Sequence, residues 1–174
     1  MNELFETIHN NNIDNIRQLL KQNDLVNERR HGDNWTALML AAQYGHTETV
    51  KLLLDRGADV NTKTNYGNTA LIKAAFYGLT EAATLLLDRG ADIHATDNDG
   101  SSALMAATQN GHNKCLYELL EYGAKLPTDT SKIISTMKKE YWWTPMHTAV
   151  INNVLDQIQS FEYSESDIVL FNNG

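Results

Sequence analysis

Apolar positions in this chain recur at two spacings, one short and one long. At the short spacing, Val50, Leu53 and Leu54 fall at i, i+3 and i+4, which sets them along one stripe of a helix. At the long spacing whole patterns return. Thr36, Thr69 and Ser102 stand 33 residues apart, each followed by Ala and Leu, in the segments TALMLAA, TALIKAA and SALMAAT. Gly45, Gly78 and Gly111 come nine residues after those hydroxyls, and Gly57, Gly90 and Gly123 twelve residues later again. A fixed period held at several independent positions is the mark of a repeat architecture, in which each unit shelters the apolar face of its neighbour.

Each unit reads as two short helices joined by a tight turn. The Thr36 hydroxyl is placed to cap the first helix, and Ala41 and Ala42 give it a small face that a neighbouring helix can approach closely. Gly45 permits the left-handed backbone that ends that helix. Thr47 is expected to cap the second helix, and Gly57 to stop it. From Ala58 to Tyr66 the chain reads as an extended turn, with Asn65, Tyr66 and Gly67 at its tip, leading to the next hydroxyl cap.

The register continues in both directions. Leu4, Ile8, Ile16, Leu19, Leu20 and Val26 match the buried positions of the first full repeat, and Asn11 takes the glycine slot as a residue that tolerates the left-handed state. Residues 1–31 therefore form an N-terminal capping repeat, followed by repeats over 32–64, 65–97 and 98–126. The segment WTPMHTAV from Trp143 to Val150 opens a further, degenerate repeat over 142–174, with Pro145 at the favoured first helical position. Residues 127–141 are an insert, in which Ile133, Ile134 and Met137 line one side of a short helical segment.

The 33-residue period, the TALxxAA openings and the closings GADVN at Asn61 and GADIH at His94 resemble the ankyrin repeat family, whose consensus opening is TPLHxAA. The resemblance implies an all-α solenoid of about five stacked helix pairs with projecting β-turn fingers, and a concave face built from fingers and first helices. Departures are visible: Met39, Ile72 and Met105 replace the consensus His, which is kept at His147, while Asn34 and Trp142 stand where Gly67 and Gly100 occupy the finger. Members of the family mostly bind other proteins. Carried onto this register, the family's variable finger and first-helix positions imply partner contacts at Asp33, Trp35, Tyr44, Tyr66, Asn68, Phe76, Tyr77, Asp97, Asp99, Asn110, Tyr141 and Trp143. Tyr44 and Tyr77 are equally placed to pack over the preceding turn, and Trp142 and Trp143 to close the end of the core.

Aromatic residues concentrate in this set and its immediate flank. Trp35, Tyr44, Tyr66, Phe76, Tyr77, Tyr141, Trp142 and Trp143 are eight of the chain's fourteen aromatics, and Tyr and Trp are the types enriched at binding hot spots. With Asp33, Asp97 and Asp99 beside them, they suit a protein partner that offers Lys or Arg next to apolar side chains.

A net charge of -8 over 174 residues repels phosphate backbones and favours basic protein surfaces, so the expected partner is a basic protein and not a nucleic acid. The one cysteine, Cys115, can make no internal disulfide and fits a reducing compartment. The opening residues carry Glu3 and Glu6 where a secretory leader would carry basic residues and an apolar run, and no stretch approaches the length of a membrane span. A cytoplasmic protein, monomeric when unbound and outside the membrane, is the expectation.

His46 and His112 follow the turn glycines and read as structural hydrogen bonders, Cys115 as a small buried residue. No phosphate loop, metal-ligand cluster or catalytic motif is present, so neither cofactor nor catalysis is expected. From Tyr141 onward there is no Lys or Arg, and Asp156, Glu162, Glu165 and Asp167 precede the apolar DIVLF, a segment suited to an acidic cap or a second binding element. The function that follows is a non-catalytic binding module, acting as an inhibitor, immunity factor or adaptor. The competing reading is the targeting region of an exported bacterial effector or of a longer enzyme.

Overall fold

In the computed structural model, residues 3–22 and 25–126 are described, and within them eight helices run as four consecutive pairs. The pairs are α1 (Glu3–His9) with α2 (Ile13–Gln22), α3 (Ala37–Tyr44) with α4 (Thr47–Asp55), α5 (Ala70–Phe76) with α6 (Thr80–Asp88), and α7 (Ala103–Gln109) with α8 (Asn113–Glu121). The first helices α1, α3, α5 and α7 pack side by side in one row, and the second helices α2, α4, α6 and α8 in another. The expected insert over 127–141 and the last repeat over 142–174 lie outside the described residues.

Helices of seven to ten residues are too short to persist alone, so their stability comes from neighbours. The row of first helices achieves this with small residues: Ala41 and Ala42, Ala74 and Ala75, and Ala106 and Ala107 are all buried. The second helices contribute Val50 and Leu53, Ala83 and Leu86, and Leu116 and Leu119, likewise buried. Burying one such leucine is worth roughly 1.5–3 kcal/mol. Phe5 joins this core at the start of the chain, where the periodic pattern alone did not single it out. Leu19 and Leu54, expected inside, are half-buried.

The expected hydroxyl caps are in place on α3, α5 and α7. The Met39, Ile72 and Met105 amides donate to the side-chain oxygens of Thr36, Thr69 and Ser102 at 3.3, 3.2 and 3.3 Å. Thr47 behaves differently from expectation. It is the first residue of α4 and not its cap, and its hydroxyl donates back to the Gly45 carbonyl at 3.4 Å. The position before it, His46, is the N-cap and makes no side-chain cap hydrogen bond.

Junctions between units are also tied by a repeated amide bracket. The Asn27 side chain donates to the Gly57 carbonyl at 3.0 Å and accepts from the Asp59 amide at 2.8 Å. Asn61 does the same one repeat later with Gly90 and Asp92, at 3.1 and 2.8 Å. A carboxamide carries donor and acceptor together, so one side chain satisfies both main-chain groups. Links at the ends of second helices also recur one repeat apart, with Arg89 on Asp55 at 2.8 Å and the Tyr122 hydroxyl on Asp88 at 2.6 Å.

Candidate partner-binding face

The fingers are built from turns whose closing residue is the same in geometry and different in chemistry. Thr64 Oγ1 accepts from the Tyr66 and Asn68 amides at 3.3 and 3.1 Å. One repeat later, Asp97 Oδ1 accepts from the Asp99 and Ser101 amides at 3.0 and 2.8 Å. Asp97 is therefore an internal turn former, half-buried, while Asp99 at the tip is exposed. Asn68 completes its own finger by accepting the Thr64 amide through its carbonyl at 3.0 Å.

Adjacent fingers are stitched together by asparagine side chains. Asn65 Nδ2 donates to the Gly32 carbonyl at 2.8 Å, and Asn98 Nδ2 donates to the Asn65 carbonyl at 2.9 Å. The main chain runs alongside, with the Asn65 amide on the Asp33 carbonyl and the Asn98 amide on the Tyr66 carbonyl. This closeness explains Gly67: its φ is +77°, and a Cβ there would lie 2.7 Å from the Asn98 nitrogen. Asn34 adopts the same left-handed state at φ +60°, so the residue that departs from glycine in the first finger keeps the backbone that glycine has at Gly67 and Gly100.

On the first helices, Tyr44 and Tyr77 occupy equivalent positions one period apart and are 40% and 47% exposed. Tyr44 reaches back toward the preceding unit, its hydroxyl 3.0 Å from His9 Nδ1 and its ring edge-on to that imidazole. Phe76 is 45% exposed and meets Tyr77 edge-on with ring centres 5.0 Å apart. Tyr66, at the finger tip before α5, is 68% exposed. Asn110, exposed at the end of α7, folds its side-chain amide onto the Ala106 carbonyl at 2.8 Å. Tyr141 and Trp143 lie outside the described residues.

Trp35 is half-buried and faces two cations. The Arg30 guanidinium lies 5.4 Å and the Lys73 ammonium 5.3 Å from its ring centre. Arg30 is also the ion-pair partner of Asp33, whose carboxylate is held below its usual range by that hydrogen bond, with the Trp35 amide adding a weaker pull. The negative charge of Asp33 is thus neutralised locally. Lys73 is lowered in pKa by burial, an effect that Asp97 offsets in part. Neither cation stood out in the sequence. Between α1 and α3, a cleft of about 230 Å³ opens beside this group, lined by Phe5, Glu6, His9, Asn10, Arg30, Leu40 and Tyr44.

The histidines and the cysteine have structural surroundings. His112 Nε2 lies 3.0 Å from the Phe76 carbonyl, bracing the turn of the preceding unit. His46 is half-buried, its Nε2 without a hydrogen-bond partner, and burial followed by the nearby His9 lowers its pKa. Cys115 is buried and its thiol is pushed up to about 11 by loss of solvent. Among the described residues, no group of three or more His, Cys, Asp or Glu is arranged to hold a metal ion. No helix among them is long and apolar enough to cross a membrane.

A family model described as ankyrin repeats in three copies matches residues 4–97 and 89–168. The chain belongs to the ankyrin repeat family. A protein of Rickettsia bellii (strain RML369-C), provisionally named as an ankyrin repeat protein, is 46% identical over 46 residues, which is 26% of this chain and 14% of that relative. The chain therefore spans a small part of the length of that relative. Ankyrin repeats make a protein–protein interaction module, and among the described residues the fingers and first helices carry most of the exposed large aromatics. Of the five such residues described, only Tyr122 lies elsewhere, in the turn after α8.

Proposed function

We propose that this ankyrin repeat protein is a non-catalytic module that holds a specific protein partner against its fingers and first helices, as an inhibitor, immunity factor or adaptor. The observation that carries the reading is the exposed group of Tyr66, Phe76 and Tyr77 on one repeat, with Tyr44 one period away. Water-exposed aromatic rings on a rigid, amide-stitched scaffold lose little conformational freedom on binding, which concentrates affinity in a few side chains.

Charge acts at longer range. The net charge of -8 steers a basic partner toward the chain, and Asp99 presents its carboxylate at a finger tip. Asp33 and Asp97, also assigned to this face, act mainly by holding the finger backbone in the shape the partner meets.

Pull-down with wild-type bait and with Trp35→Ala and Tyr66→Ala tests the assignment. Loss of capture in either variant, with faster dissociation, is expected. Retained affinity in both would move the interface elsewhere. A contact of standard size buries on the order of 1,200–2,000 Å² in total.

A further inference from the structure

Resting on the reading of this face as the contact surface, we propose that Lys73 anchors a carboxylate of the partner, an Asp or Glu side chain set beside an apolar or aromatic residue. Lys73 occupies the variable slot inside the TxLxxAA opening, on the first helix of the repeat that also carries Phe76 and Tyr77. Its equivalents one period away are Leu40 and Ala106, both buried, so the ammonium stands as the one charge of that slot between two apolar neighbours. Its ammonium lies 5.3 Å from the Trp35 ring centre, a contact that sets where the charge is presented.

Among the described residues, Lys73 has no ion-pair partner. The ion pairs among the described residues join Arg17 to Asp14 and Glu48, Arg30 to Asp33, and Arg89 to Asp55, and none includes Lys73. Asp97 acts on it electrostatically, but its Oδ1 already accepts two backbone amides in the adjacent finger. Burial has therefore stripped part of the water from this cation, Asp97 offsets that only in part and forms no ion-pair contact with it, and the net lowering of its pKa is the sign of that. An arriving carboxylate gains a charge-assisted hydrogen bond at a site whose desolvation took place when the protein folded. Phe76 and Tyr77 supply the apolar and aromatic contact next to it. The net negative charge and the anchor work at different ranges: the field selects a basic protein, and the anchor selects the place on it where an acidic side chain sits next to an apolar one.

Selection from a random peptide display library on the intact chain tests this, with parallel selections on Lys73→Met, Lys73→Arg and Phe76→Ala/Tyr77→Ala. Lys73→Met keeps the apolar length of the side chain and removes the charge, and an unchanged melting temperature confirms that it folds. The expected result is that wild type selects peptides with a recurrent Asp or Glu beside an apolar or aromatic residue. Lys73→Met should then bind a selected peptide about tenfold more weakly and lose the acidic preference, and Lys73→Arg should keep both. Peptides without acidic enrichment, or acidic peptides that bind Lys73→Met as tightly as wild type, would overturn the anchor while their dependence on Phe76 and Tyr77 left the contact face standing. Selection of no peptides, or of peptides indifferent to Phe76→Ala/Tyr77→Ala, would overturn the contact face and the anchor with it.

Discussion

The Asn61 side chain accepts the backbone amide of Asp92 at 2.8 Å, across a gap of 31 residues. Its Nδ2 meets the Gly90 carbonyl in the same gesture, and Asn27 repeats the arrangement at the junction before. The third position in this series is His94, which lies 33 residues after Asn61. An imidazole cannot present a carboxamide's donor and acceptor side by side.

Asn61→Ala should lower stability by about 1–2 kcal/mol, for two solvent-accessible hydrogen bonds at a main-chain junction. His94→Asn should raise it by roughly 0.5–1.5 kcal/mol, since a carboxamide there can donate to the Gly123 carbonyl as Asn27 and Asn61 donate to Gly57 and Gly90. Urea unfolding at constant m-value measures both.

Gly67→Ala and Gly57→Ala separate strain from crowding. Both glycines have left-handed backbones, at φ +77° and +84°, but nothing lies within 4 Å of an added Cβ at Gly57. Gly57→Ala should therefore cost only the backbone term, about 1–2 kcal/mol. Gly67→Ala must also displace the Asn98 backbone and should cost clearly more, with thermal unfolding as the readout.

Leu53→Ala and Leu86→Ala each empty a fully buried site between second helices. A loss of roughly 2–5 kcal/mol is expected for each. Because the total stability of a domain is only about 5–15 kcal/mol, either change should bring unfolding within reach of ordinary temperatures, as calorimetry would show.

Acid should weaken the junction between α1 and α3. The His46 pKa is lowered by burial and by His9, so the folded state disfavours the charged ring and the unfolded chain binds the proton more readily. The stability this gives is present above the ordinary His value of 6.5 and is lost as the pH falls through the lowered one. His46→Leu, which copies Leu79 in the next repeat, removes both the titration and the unpaired Nε2. Melting temperatures at pH 7 and pH 5 should fall less in His46→Leu than in wild type.

The helix starts were legible in the sequence because a cap is a local event: Thr36 and Met39 are three residues apart, and the hydroxyl needs no distant partner. The left-handed turns were legible for the same reason, including Asn11 at φ +52°. Thr47 was misassigned because α4 starts one residue earlier than the hydroxyl pattern suggests: His46 is its N-cap, and the Thr47 hydroxyl donates to the Gly45 carbonyl.

The face was legible in outline and not in its charges. Asp33 looked like a free carboxylate until Arg30, three residues before it in an irregular segment, turned out to hold it. Asp97 looked alike until its finger closed around it. Lys73 meets Trp35 across 38 positions, a contact that exists only once finger and helix are stacked, and nothing in the local pattern announces it.

A partner held by the fingers and first helices depends on the aromatic rings of that face. Capture from the native cell, with bound proteins identified by mass, compares wild type with Phe76→Ser/Tyr77→Ser and with Tyr122→Ser, which removes the exposed ring that lies apart from that face. One protein should be lost with the Phe76 and Tyr77 change and kept with the Tyr122 change. A partner retained by the double variant at wild-type level, or lost only with Tyr122→Ser, would contradict that dependence.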